Sequence, residues 1–296
     1  MISDKQELAI ASHFIEVNGS KLHYLEAGVG DPILFLHGIP TSSYLWRKVI
    51  PHLSPLGRCI APDLVGFGQS DKPDIDYSIF DHITYIEKLI EILQLKNITI
   101  VMHGWGSLIG FHYATMHENN CHALVFYEAI LKPDSNNDIS LPYQEQILVL
   151  QEKLLDQNMS AVTLVEQMLA QQSIKQLKAE ELHQYRQPFL KDGSLKPIAE
   201  YIKEAAALTT NKKINQLILD YSSKLTQSSL PKLMLYSLPG FITTIATAMW
   251  AKDHLPNLEI ADVGEELHLA QENCPALIGE TISAWLQGIE QTQKRG

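Results

Sequence analysis

Residues 98–106, ITIVMHGWG, constrain this chain more than any other stretch. An apolar, β-branched run enters a tight turn and passes at once into a helical pattern from Trp105 to Met116. A strand, sharp turn and helix in that order form a nucleophile elbow, where a strained residue presents its side chain over the end of a sheet. Gly106, two residues past the apex, lets helix and strand pack closely. By this geometry the apex is position 104, and it holds glycine. Glycine has no side chain with which to attack anything.

The pattern around the turn predicts an α/β fold built on a parallel sheet covered on both faces. Residues 13–17 and 21–27 flank Asn18-Gly19, a pair suited to the positive φ of a hairpin turn. Short apolar runs follow at 32–36, 59–62, 98–102 and 123–127. Ser78 caps a helix with Ile79, Ile83, Ile86, Ile90 and Leu93 on one face. From 132 to about 210 no strand pattern is present. Three stripes there predict helices: Leu148-Leu150-Leu154-Leu155, Val162-Val165-Met168-Leu169 and Ile198-Tyr201-Ile202. Strand patterns resume at 232–236 and 258–263, with a helix near 243–252, and Pro275 opens a last helix. The expectation is a mostly parallel, eight-stranded sheet in residues 1–131 and 211–296, interrupted by a helical cap over 132–210. A ligand pocket belongs between cap and sheet, beyond the strand C-terminal ends.

Composition narrows the partners. The 296 residues carry a formal charge of −11, with no run of five basic residues. That argues against nucleic acid or an anionic membrane. Cys59, Cys121 and Cys274 are odd in number and widely spaced, which suits neither a disulfide framework nor a zinc site. No signal peptide and no apolar run near the ~18 residues of a membrane span is visible, so a cytoplasmic protein is expected.

Three further signals belong with the elbow. His37-Gly38-Ile39-Pro40 follows a buried-strand pattern, where backbone N–H groups of such a loop form half of an oxyanion site. His268 follows the last strand, where this architecture places a general base. Glu128 lies just past the 123–127 run, in apolar surroundings, and could hold His268 in one tautomer. Ser107 could replace the missing nucleophile, but it lies one helical turn beyond the apex and should face the packed strand. His103, His112 and His122 read as structural.

These stretches resemble the haloalkane dehalogenases, an α/β-hydrolase family with coelenterazine luciferases among its relatives. The matching segments are HGIPTSSYLWRKVIPHL from His37, APDLVGFGQSDKPDIDY from Ala61, HGWGSLIGFHYA from His103, HQYRQPFL from His183 and LHLAQENCPALIG from Leu267. The resemblance implies His268 as general base, Glu128 as its carboxylate and Trp105 as a halide-binding residue. It also implies that the family's aspartate nucleophile falls on Gly104 and its halide-binding asparagine on Ile39. Without the carboxylate the ester-forming step has no nucleophile. Two readings follow. In the first, an enzyme without cofactor uses His268 and Glu128 on a small lipophilic substrate, in elimination, isomerisation, cyclisation or oxygenation. In the second, the pocket binds a ligand without turnover, or belongs to an inactivated dehalogenase. In the first reading, Gly104 should enlarge the pocket floor and Ile39 should make it more apolar.

Overall fold

A computed structural model describes residues 9–132, 139–191 and 193–293. Eight strands form one sheet: β1 (Ala11–Val17), β2 (Ser20–Ala27), β3 (Pro32–Leu36), β4 (Arg58–Pro62), β5 (Ile98–His103), β6 (Cys121–Tyr127), β7 (Lys232–Pro239) and β8 (Leu258–Glu266). Their order is β1-β2-β4-β3-β5-β6-β7-β8. Only β1 and β2 run antiparallel to their neighbours. Asn18 and Gly19 take φ of 51° and 75° at the hairpin, as a right-twisted two-residue turn requires. β3 and β5 are buried along their whole length, which accounts for their unbroken apolar runs.

The helices are α1 (Ile50–Leu53), α2 (Ile79–Ile92), α3 (Gly106–Met116), α4 (Leu141–Lys153), α5 (Ala161–Gln171), α6 (Ala179–Arg186), α7 (Leu195–Ala206), α8 (Lys212–Leu225), α9 (Ile245–His254), α10 (Ala270–Asn273) and α11 (Pro275–Gln293). At the start of α2, Ser78 and Asp81 form a reciprocal capping box. The apolar face of α2 is buried at Ile79, Ile83, Ile86 and Ile90. Burying an aliphatic side chain of this kind contributes roughly 1.5–3 kcal/mol.

Between β6 and β7 the described residues form helices α4 to α8 and no strand. α8 packs on α3, whereas α4 packs on α7 and α5 on α6. One expected stripe is corrected here. Leu148 and Leu155 are exposed, and the inward face of α4 is Tyr143, Ile147 and Leu150. The spacing of four and then three keeps those residues on one side, while Leu148 is roughly a third of a turn off it. Leu155 lies beyond the end of the helix.

Candidate active site

The turn from β5 into α3 places Gly104 at φ +52°, the left-handed region where a side chain is strained. A Cβ at Gly106 would lie 2.6 Å from the Leu36 carbonyl oxygen, so glycine there permits the close helix–strand approach. Ser107 is committed to the same turn. Its hydroxyl donates to Gly104 O at 2.6 Å and accepts the Ile130 N–H at 3.0 Å. A fully buried hydroxyl held this way is a structural tie, as its place one turn beyond the apex leads one to expect.

His268 and Glu128 come together from 140 residues apart. Glu128 is the first residue after β6 and has φ +51°. Its Oε2 accepts the backbone N–H groups of Phe241 at 2.9 Å and Ile242 at 2.5 Å. The Nδ1 edge of His268 faces the same oxygen at 3.4 Å. Burial lifts the Glu128 carboxyl to about 7 despite these N–H donors. Burial likewise holds the His268 imidazole down to about 3. Both effects favour an uncharged pair, because neither charge is solvated.

The other edge of the His268 ring meets the elbow. A Cβ at position 104 would lie 2.9 Å from His268 Cε1 and 3.0 Å from Nε2. This overturns the expectation of an enlarged pocket floor: the histidine ring fills the space that glycine leaves. Nor is the site open to water. Ile39, Trp105 and His268 are each 2–3 % exposed. Phe241 tilts over the His268 ring at 5.9 Å.

The Gly38 loop abuts the apex. Gly38 Cα lies 3.5 Å from where a Cβ at 104 would be. Among the described residues nothing accepts the backbone N–H of Ile39 or of Trp105. The Trp105 ring stands edge-on to Tyr201 at 5.1 Å, and the Tyr201 hydroxyl meets that of Tyr143 at 3.1 Å. His37 is corrected from ligand contact to scaffold. Its Nε2 accepts the Leu64 N–H at 2.9 Å, so Nδ1 carries the proton and donates to Gly38 O at 2.8 Å. Both ring nitrogens are thereby taken, and burial lowers the pKa of the ring.

His103, read from the sequence as structural, and Tyr127, which the sequence did not single out, both lie beside the base. The His103 ring lies 4.0 Å from that of His268, tilted by 40°, and its Nε2–H donates to His268 O at 2.9 Å. Tyr127 donates to Leu267 O and meets Ser237 Oγ at 2.8 Å. The available signal was position, since both residues end parallel strands beside the elbow. Among the described residues no group of three or more His, Cys, Asp or Glu side chains converges as a metal would require.

Known proteins share this architecture. The alpha/beta hydrolase fold family matches residues 31–237. A haloalkane dehalogenase of Sphingobium indicum is 34% identical over 292 residues, covering 93% of this chain and 95% of that protein. The coelenterazine h 2-monooxygenase of Renilla reniformis is 33% identical over 297 residues, covering 96% and 91%. The crystal structure of haloalkane dehalogenase DbeA from Bradyrhizobium elkani USDA94 superposes with a TM-score of 0.88 at 32% identity. It covers 96% of this chain and 100% of its own.

Proposed function

Within the haloalkane dehalogenase family of the α/β-hydrolase superfamily, to which this chain belongs, we propose an enzyme that has given up the family's nucleophile. In this reading the aspartate position is Gly104 and the halide-binding asparagine position is Ile39. His268, backed by Glu128, acts as a general base on a small lipophilic substrate. The reaction is non-covalent with respect to the protein and draws on no cofactor. The observation that carries the reading is the His268 ring packed on Gly104, with Nε2 pointing at the elbow apex.

The chemistry follows from that arrangement. With Nδ1–H directed at Glu128, the Nε2 lone pair is the free one and can take a proton from a bound ligand. The unclaimed N–H groups of Ile39 and Trp105 supply donors for the oxygen on which negative charge would develop. An apolar surround of Ile39, Trp105, Phe241 and Tyr201 favours a lipophilic partner. A relative named as a monooxygenase supports oxygenation as one of the reactions in reach, beside elimination, isomerisation and cyclisation.

The closed site supports a second reading, a ligand-binding protein without turnover. Two measurements separate these. Halide release from bromo- and iodoalkanes should stay at background, and multiple-turnover bromide release would overturn the loss of the nucleophile. Native mass spectrometry of protein from its own host should show a retained small molecule. If that molecule is converted by the parent and survives intact on His268→Ala, bound within about tenfold as tightly, the base assignment stands. If it is never converted, the binding-protein reading replaces the enzyme.

A further inference from the structure

The connection from β8 to α10 is only a few residues long, yet it is tied down at every exit. Leu267 O accepts the Tyr127 hydroxyl, His268 O accepts His103 Nε2–H at 2.9 Å, and Leu269 N–H donates to Gln172 O at 2.9 Å. The two side-chain donors come from adjacent strand ends. His103 and Tyr127 are register partners in the β5–β6 pair, and Tyr127 is joined in turn to Ser237 of β7 at 2.8 Å. Two neighbouring parallel strands thus hold one short loop through side chains, and a third braces one of those side chains.

His103 does more than donate. Its ring lies nearly parallel to Tyr127, at 5.9 Å and 15°, and tilted against His268 at 4.0 Å. Because Nε2 must carry the proton to reach a carbonyl, Nδ1 is a bare acceptor. That atom is buried without a donor and lies 3.1 Å from where a Cβ at Gly38 would stand. A lone pair left unpaired in the core is a stability cost. An aromatic hydrocarbon would avoid that cost but would not tie the carbonyl.

We propose that His103 is a positioning residue for His268: with Tyr127 it clamps the main chain on both sides of that histidine and backs its ring against Gly104. The proposal rests on the reading of His268 as the base, but its test does not depend on turnover. The groups facing the His268 ring are His103, Glu128 and Phe241, so a loosened loop changes what the ring meets.

The test uses full-length protein with labelled histidine, the His268 Cε1–H signal being assigned by its loss in His268→Gln. His103→Leu keeps bulk and removes the donor. It should move the His268 titration midpoint up by at least one pH unit, with loss of the ring-current shift. His103→Gln retains an N–H donor at the same reach and should move the midpoint by less than half as much. Tyr127→Phe, lacking one hydroxyl, should give an intermediate rise. A folded His103→Leu with an unmoved His268 titration overturns the proposal, as do equal shifts in the Leu and Gln variants. If His103→Leu fails to fold, Tyr127→Phe decides alone: a rise supports the clamp, and no change overturns it. Failure to find any turnover would sink the base assignment and leave this outcome standing.

Discussion

Two buried carboxylate–histidine pairs occupy equivalent places in this fold and behave in opposite ways. Asp63 is the first residue after β4, as Glu128 is after β6. Asp63 takes three short donors, His23 Nδ1, the Ser43 N–H and the Gln69 N–H, each at 2.7 Å. Burial alone would raise its pKa, but the contacts with His23, the nearby His37 and the Gln69 N–H more than offset this, and the carboxyl lies below its ordinary value. Glu128 has two backbone donors and a histidine at 3.4 Å, and burial prevails. The comparison teaches that burial does not decide the charge of an acid. Each acid has three donors, and what differs is the closeness of the histidine, 2.7 Å at Asp63 and 3.4 Å at Glu128. The Asp63 carboxylate is held charged in a structural clamp, and Glu128 is left uncharged beside the elbow.

The largest effect expected from breaking this contrast is at the structural pair. Asp63→Ala removes the partner of a buried histidine and of two backbone N–H groups, and should lower stability by about 3–5 kcal/mol. Denaturant unfolding measures it. A loss under about 1 kcal/mol would show that Asp63 is no more committed than Glu128.

Gly104→Asp comes next. The left-handed backbone costs a side-chain-bearing residue on the order of 1–3 kcal/mol. The new Cβ also forces the His268 ring to move. The variant should therefore be less stable by at least that amount, and should restore a carboxylate beside His268 and Trp105. Alone it should release little halide. Adding Ile39→Asn should raise release well beyond the single variant, read as a double-mutant cycle. A Gly104→Asp protein more stable than its parent, with the double variant silent toward bromoalkanes, would mean that position 104 is not the apex of a dehalogenase-like site.

Glu128→Gln should have the smallest effect at pH 7, within about 1 kcal/mol, since a neutral acid and an amide make comparable hydrogen bonds. The sharper readout is pH. Glu128 is raised from 4.5 to about 7 in the fold, so its contribution is present below pH 4.5 and lost as pH rises through 7. His268 is lowered from 6.5 to about 3, so its contribution is present above 6.5 and lost as pH falls toward 3. The two oppose each other where the windows overlap. Glu128→Gln removes only the first, so variant stability relative to the parent should rise between pH 4.5 and 8. Melting temperatures across that range check the sign; a flat difference would place Glu128 at an ordinary pKa.

Much of the scaffold was legible in local pattern. Asn18-Gly19 marks a hairpin, Ser78 a helix start, and β3 and β5 buried strands, because each signal depends on residues a few positions apart. The elbow was legible for the same reason: Gly104 and Gly106 sit where a sharp strand-to-helix turn needs them. The inward face of α4 was misread, because Leu148 and Leu155 are as apolar as the residues that do face the core. Hydrophobicity alone does not say which side has a neighbour.

By itself, then, the sequence determined the α/β alternation, the glycine apex and the candidate residues His268 and Glu128, through spacings shorter than one secondary-structure element. Only the tertiary structure decided how they meet. Asp63 pairs with His23 across 40 positions and Glu128 with His268 across 140, and no local pattern chooses between these partners. Strand register set His103 beside Tyr127 under the His268 loop. Close packing then left the space above Gly104 to the one ring near enough to fill it, because an empty space in a dense interior forfeits dispersion contacts.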